Sequence, residues 1–234
     1  MSRWHAQQWT VVEAIERPPA EAVTALAGFA TTQIADCGGP VGVVGPGLGR
    51  IAGGAEFCGP AVTVWTKPGD ILFVLKMPDL TRPGDVVAVD GGGRADAAVL
   101  GDIVAGALAR RGVVGVVVDG AVRDVEGIDE VGLPTFARGT HPATGSNEGP
   151  GAINVPVQVG GVVVRPGDVV RGDASGVVVV PREHLDTVIA MTRAVEQREM
   201  AWRQAVADGV SIAAATGADA VIAERGDAAA TPLP

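Results

Sequence analysis

The stretch Val113 to Val118, VVGVVV, constrains the fold most. Five valines around one glycine, with no polar alternation, read as a strand buried on both faces, which needs a covering layer on each side. Asp102 stands at the start of a helical pattern ahead of this strand. Asp119-Gly120 after it reads as a tight turn, and Arg123-Asp124 come next. One βα-type unit thus brings together a helix start, a strand end and three charges, and loops at such ends are where chemistry is usually held.

The rest of the chain agrees with that layering. Of 234 residues 47% are hydrophobic but only 3% aromatic, with no tyrosine, so the core must be built of Val, Ala, Ile and Leu. Such residues suit a sheet covered by small-residue helices. Helices are expected at about Ala20–Gly28, near Thr32–Asp36, near Ile71–Met77, at about Asp96–Arg111 with Asp96 as N-cap, up to Val131, and from about Arg182 to Ala207. Strands are expected at Phe57–Thr66, Val86–Val89, Val113–Val118, Pro134–Ala137, Val155–Val159, Val162–Val164, Val169–Arg171 and Val177–Val180. This order predicts an α/β or α+β fold with sheet layered by helices. Pro68-Gly69-Asp70, Pro83-Gly84-Asp85 and Pro166-Gly167-Asp168 repeat one turn chemistry, Pro-Gly at the centre and an aspartate to cap the next element. Residues 1–17 read as an arm, 18–207 as the main domain and 208–234 as a loosely packed tail.

Several classes are excluded. A net charge of −9 argues against a nucleic-acid ligand. No apolar stretch reaches the length of a membrane span, and the first ten residues lack the apolar segment of a signal peptide. Cys37 and Cys58 are too few for a disulfide framework and fit no zinc spacing, so a cytoplasmic protein with reduced thiols is expected. Gly45-Pro46-Gly47-Leu48-Gly49 mimics a dinucleotide fingerprint but lacks the long helix such a motif requires, and reads as a turn-rich loop. No lysine is placed for Schiff-base chemistry, the three histidines are scattered, and neither Ser146 nor Ser175 sits in a nucleophile elbow.

What remains is the charged group. An arginine fork at Arg123 binds a carboxylate in two places. The free N–H groups around Leu100 to Val104 at a helix start form a second anion cradle. Asp124 suits a hard cation such as Mg²⁺ or Mn²⁺. A small 2-oxo acid would find an anion site and a Lewis acid there. A local Arg-Asp ion pair at a turn is the plainer alternative. On the C-terminal helix, Glu199 falls inside the stripe of Leu185, Val188, Ile189, Thr192, Val195, Trp202 and Val206, where an acid needs a partner or a function.

The spacing D-x20-R-D formed by Asp102 and Arg123-Asp124 resembles the motif of the class II 4-hydroxy-4-methyl-2-oxoglutarate / 4-carboxy-4-hydroxy-2-oxoadipate aldolases, which share their fold with the RraA regulators of ribonuclease E. VVVDGAVRDVEGIDEVGLPTFARG, GPAVTV at Gly59–Val64, GPGAINVPVQVGGVVVRPGD at Gly149–Asp168 and GVVVVP at Gly176–Pro181 are similar to that family as well. The resemblance runs over roughly Thr31–Trp202. It implies an RraA-like αββα sandwich with a central mixed sheet and a long C-terminal helix, in homotrimers or homohexamers with sites between subunits. It further implies that Asp124 holds a divalent metal, Mg²⁺ or Mn²⁺, and that Arg123 binds the pyruvyl end and steadies its enolate. Asp102 would help hold water at the metal, and the backbone from Gly101 to Val104 would receive the carboxylate. Glu199 would reach into a neighbour's site. The implied reaction is retro-aldol cleavage to pyruvate and a second oxo acid, with oxaloacetate decarboxylation as a side activity and aromatic-compound degradation as the setting. Two other readings stand beside it: a non-catalytic regulator that binds a ribonuclease, and a methyltransferase supported only by the loop Gly91-Gly92-Gly93. Asp173-Ala174-Ser175-Gly176, where relatives often carry a second acid, and the loop at 139–151 leave the distal end of the substrate open.

Overall fold

The structure is a computed structural model that describes residues 9–229, with side chains to residue 226. In chain order the elements are β1 (Thr10–Val11), α1 (Ala20–Ala27), α2 (Thr31–Ala35), β2 (Gly42–Val43), β3 (Gly49–Ala52), β4 (Phe57–Thr66), α3 (Leu72–Lys76), β5 (Val86–Asp90), β6 (Ala98–Leu100) and α4 (Asp102–Arg110). They continue with β7 (Gly115–Val122), α5 (Val125–Val131), β8 (Thr135–Thr140), β9 (Gly151–Ile153), β10 (Val157–Val159), β11 (Val162–Val164), β12 (Val169–Asp173), β13 (Gly176–Val180), α6 (Leu185–Ala207), α7 (Ile212–Thr216) and α8 (Ala218–Ala229). The main sheet runs β2-β13-β12-β4-β5-β7-β8-β3. Strands β4, β5, β7 and β8 are parallel neighbours, and β12, β13, β2 and β3 join antiparallel. It is a mixed sheet.

The period of two along each strand shows why four layers form. Val62, Val64, Val87, Val89, Val116 and Val118 face a core shared with α3, α4 and α5. Their alternates Ala61, Val86, Ala88 and Val117 face a second core, which also takes Val170, Val177 and Val179 from β12 and β13. The other faces of those two strands, Val169, Val178 and Val180, pack with Leu26, Ile34, Leu185 and Val188 of α1, α2 and α6. The curled sheet therefore packs on itself, with helices outside both halves: an αββα sandwich with a long C-terminal helix.

Three expectations change. Asp96 caps no helix; it pairs with Arg94 at the surface, residues 98–100 form β6, and the helix starts only at Asp102. Leu100 is therefore a buried strand residue rather than part of a helical stripe. Asp119-Gly120 is not a turn either. β7 passes straight through it, with a register shift against β8 between Val118 and Ala121. Asp119 is held there by Arg138 and by the Gly160 N–H at 2.7 Å, so the acid stays in the strand. The bulge swings the end of β7 toward β6.

The three Pro-Gly-Asp turns do more than enter strands. Their carboxylates are buried, and each ties down a second segment. Asp85 receives the Arg17 guanidinium in two bonds of 2.7 and 2.8 Å, and β1 pairs with β9, so residues 9–17 lie on their own chain. Asp168 accepts from the N–H groups of Arg165 and Arg182, while burial holds its carboxyl above the ordinary value. Asp70 binds the loop after β8. Beyond Gly209 the chain forms α7 and α8, whose side chains are mostly exposed. No helix among the described residues is long and apolar enough to cross a membrane.

Candidate active site

The site grows from the ends of β6 and β7. Ala98 and Leu100 pair in parallel with Ala121 and Val122, so the two strands finish together. α4 begins immediately after one and α5 after the other. Two helix N-termini are thereby set side by side, a place where unpaired N–H groups favour anions.

Arg123 and Asp124 occupy the turn between β7 and α5. The Arg123 N–H donates to the Leu100 carbonyl at 2.9 Å, which locks that turn to the end of β6. Asp124 takes a left-handed conformation, φ 53° and ψ 49°, which aspartate tolerates better than most residues. Its Oδ2 lies 3.1 Å from Arg123 Nε, and both side chains remain partly open to solvent. Gly101 is extended and sits under this pair. A Cβ there would stand 2.5 Å from Asp124 Oδ2 and 3.2 Å from Arg123 Cγ.

Asp102 is the first residue of α4. Its carboxylate Oδ1 accepts the Ile103 N–H at 2.7 Å, so one amide of the expected anion cradle is already engaged. Gly127 of α5 packs against Asp102, where a Cβ would come within 2.7 Å of the Asp102 Cβ. The motif's neighbouring glycines therefore have a steric cause: they let two carboxylates and a guanidinium share one corner.

These residues line a cleft of about 110 Å³. Gly101, Asp102, Ile103, Val104, Arg123 and Asp124 all border it. Ile71, Leu75 and Thr144 complete the opposite wall, and sequence reasoning missed all three. Only the Asp70 turn hinted at them, by fixing where α3 starts. Glu199 is not part of this cleft. It sits on α6, its side chain 21% exposed, accepting from Gln33 Nε2 at 2.9 Å and Arg203 at 2.8 Å. Asp173 is likewise elsewhere: it accepts from the N–H and hydroxyl of Thr31 at the start of α2 and from the Ser175 N–H.

The donor set fits a hard divalent ion. Among the described residues no three His, Cys, Asp or Glu side chains gather into a cage. An ion that keeps most of its waters needs only one or two carboxylates, and Asp124, partly open at the cleft that Asp102 also borders, could offer one. The glycine loop 91–93 offers a ligand little. The N–H groups of Gly91 and Gly93 donate to the Asp119 carbonyl and that of Gly92 to Asp90. Cys58 is no nucleophile either: burial pushes its thiol up to about 12.

Known proteins share both this sequence and this shape. A protein of Halalkalibacterium halodurans, provisionally named 4-hydroxy-4-methyl-2-oxoglutarate aldolase, is 41% identical over 155 residues, covering 66% of this chain and 74% of its own. An uncharacterised protein from Pseudomonas syringae superposes with a TM-score of 0.74 at 28% identity, covering 86% of this chain and all of its own. Streptomyces coelicolor RraAS2, described as an unusual member of the RNase ES inhibitor RraA family, gives 0.71 at 31% identity over 80% of this chain and 98% of its own. The RraA-like family model, Aldolase/RraA, matches residues 31–179, a span that holds the whole cleft and most of the sandwich, and the chain belongs to that family.

Proposed function

We propose that this protein is a divalent-metal-dependent pyruvate aldolase acting on 4-hydroxy-2-oxo di- or tricarboxylic acids of the 4-hydroxy-4-methyl-2-oxoglutarate or 4-carboxy-4-hydroxy-2-oxoadipate type. The observation that carries this reading is the placement of Arg123 and Asp124 in one cleft, against the N-terminus of α4.

The chain's own groups divide the work. Arg123, fixed through its backbone to Leu100, presents a guanidinium to the pyruvyl end of the substrate and opposes the negative charge that grows on the ketone oxygen as the C3–C4 bond breaks. The amides at the start of α4 receive the 2-oxo acid carboxylate, which competes with Asp102 for the Ile103 N–H. Asp124 would hold Mg²⁺ or Mn²⁺, which would supply a Lewis acid at the ketone oxygen. Asp102 also accepts hydrogen bonds from water at that point, and Glu199 of a neighbouring copy is assigned to proton transfer. The products are pyruvate and a second oxo acid. Loss of CO₂ from oxaloacetate generates the same enolate, so oxaloacetate decarboxylation accompanies the main activity. A homotrimer or homohexamer in the cytoplasm is part of this reading.

The test is a lactate-dehydrogenase-coupled assay of pyruvate release from a small panel of 4-hydroxy-2-oxo acids with Mg²⁺ or Mn²⁺. Activity is expected to disappear with EDTA and return with metal. Arg123→Ala and Asp124→Asn are expected to lower kcat/KM by at least about 10³-fold with the fold kept. EDTA-resistant turnover, or full activity in either variant, refutes the reading.

A second reading comes from the Streptomyces relative, a member of an RNase inhibitor family. In that case the chain binds a ribonuclease and the cleft is idle. Co-purification of an RNA-degrading complex, together with no lyase activity on the panel, would select it.

A further inference from the structure

The opposite wall of the cleft is not built by the motif. Thr144 belongs to the loop after β8; Ile71 caps the start of α3 and Leu75 lies one turn into that helix. These two segments are joined through a buried group, the Asp70 carboxylate. Its Oδ2 accepts the Ser146 hydroxyl at 2.6 Å and the N–H groups of Glu148 and Gly149 at 2.8 and 2.9 Å. Its Oδ1 accepts the Leu72 N–H at 2.9 Å, at the first residue of α3. Desolvation alone would raise its pKa, but the Ser146 hydroxyl and the three backbone N–H groups outweigh that and hold it below the ordinary value. The carboxylate is therefore ionised, and fully paired, at neutral pH.

The rest of the seam is built on this anchor. The Ile71 N–H donates to the Ser146 carbonyl at 2.8 Å, and the Ala98 N–H to the Ala143 carbonyl at 2.9 Å. Gly145 passes so close to the Gly69 carbonyl that a Cβ there would overlap it. Thr144 is thus held between two pinned points, with its hydroxyl toward the Ala98 carbonyl at 3.4 Å.

Accepting the aldolase reading, we propose that Asp70 is a positioning residue that sets the distal wall of the cleft, fixing Thr144 and the start of α3 against the part of the substrate beyond its pyruvyl end. Arg123, Asp124 and the α4 N-terminus make no direct bond to it: their own contacts run to Leu100 and to each other, and they meet the anchored loop only through the backbone of β6 at Ala98. Loss of the anchor should spoil binding of a long substrate and spare chemistry that involves pyruvate alone.

The experiment separates those two. Metal-dependent exchange of the pyruvate methyl protons in D₂O reads the pyruvyl end. Cleavage of a six-carbon 4-hydroxy-2-oxo diacid reads the whole cleft. Asp70→Ala is expected to raise KM for the diacid about tenfold, with pyruvate exchange within about twofold of the wild type. Asp70→Asn, which keeps part of the hydrogen bonding, should fall between. Thr144→Ala should raise the same KM without loosening the loop. Hydrogen–deuterium exchange should quicken over residues 143–149 in Asp70→Ala and stay slow in β7 and α4. If Asp70→Ala does not fold, Ser146→Ala removes one bond of the four and should show the same split in weaker form. Parallel loss of both activities, or an unchanged diacid KM, overturns the role of Asp70 while leaving the aldolase reading intact. A wild-type protein inactive in both assays overturns the two together.

Discussion

Arg123 and Glu199 are held in opposite ways. Arg123 and its neighbour Asp124 are fixed by backbone: a strand end tied to Leu100, a left-handed residue, and a glycine beneath that leaves no spare room. Glu199 is fixed by side chains alone, between Gln33 of α2 and Arg203 one turn along its own helix. The first arrangement is complete within one chain. The second has an acid at the edge of an open, mostly apolar groove, beside the partly exposed Trp202 and the exposed Val206 and Ile212. Groups that a backbone dictates belong to a single fold. Groups that only side chains aim are free to serve a surface shared with another copy.

The sharpest way to break that contrast is at Gly101. Gly101→Ala places a Cβ 2.5 Å from the Asp124 carboxylate oxygen. The atom it meets is the far end of a side chain, so the fold yields cheaply and the carboxylate moves instead. The expected outcome is a loss of kcat/KM on the order of 10³-fold, with stability reduced by less than about 1 kcal/mol. Thermal denaturation and the pyruvate assay check both halves. A large drop in stability with catalysis kept would mean that the corner is structural.

That corner was legible because its causes are local. Asp102, Arg123 and Asp124 sit at a fixed spacing, and the spacing is the length of one helix and one strand. The apolar run Val113–Val118 and the Val-, Ala-, Ile- and Leu-rich composition likewise pointed to the layers. What failed was the stretch from Asp96 to Leu100, whose Ala and Val fit a helical wheel. Pairing with the end of β7 wins there, because Leu100 and Val99 bury themselves in the sheet's outer core. Asp119-Gly120 failed for a similar reason: Arg138 and Gly160, distant in sequence, supply the partners that keep a turn dipeptide in a strand. Thr144, Ile71 and Leu75 escaped notice because Asp70, 76 residues from Ser146, brings them to the cleft.

A smaller effect is expected at Glu199. Glu199→Gln keeps the hydrogen-bonding shape toward Gln33 and loses a partly exposed ion pair with Arg203. Stability should change by less than about 1 kcal/mol. If the acid serves a neighbour's site, kcat falls by about 10²-fold, the usual size of a lost proton-transfer group. Co-expression with Arg123→Ala then sharpens the comparison: two inactive chains in one oligomer should recover part of the activity. No recovery, or a loss of stability without loss of kcat, would leave Glu199 as a support for α2.

The smallest effect lies one step behind Glu199. Asp173 holds the start of α2 through Thr31, and α2 carries Gln33. Burial would raise the Asp173 carboxyl, but hydrogen bonds from the Thr31 N–H and hydroxyl and the Ser175 N–H, with Arg171 nearby, hold it below the ordinary value. A carboxyl lowered in the folded state contributes stability that is fully present above the unfolded pKa, near 4, and is lost as pH falls below it. Asp173→Asn should therefore cost about 1 kcal/mol at pH 7 and progressively less below about pH 4, so that denaturation curves of the two proteins converge in acid. Nothing at Arg123 or Asp124 connects to this carboxylate, so activity per folded molecule should track Glu199 and not the pyruvyl end. A constant stability gap across that pH range would show that the Thr31 contacts do not depend on the charge of Asp173.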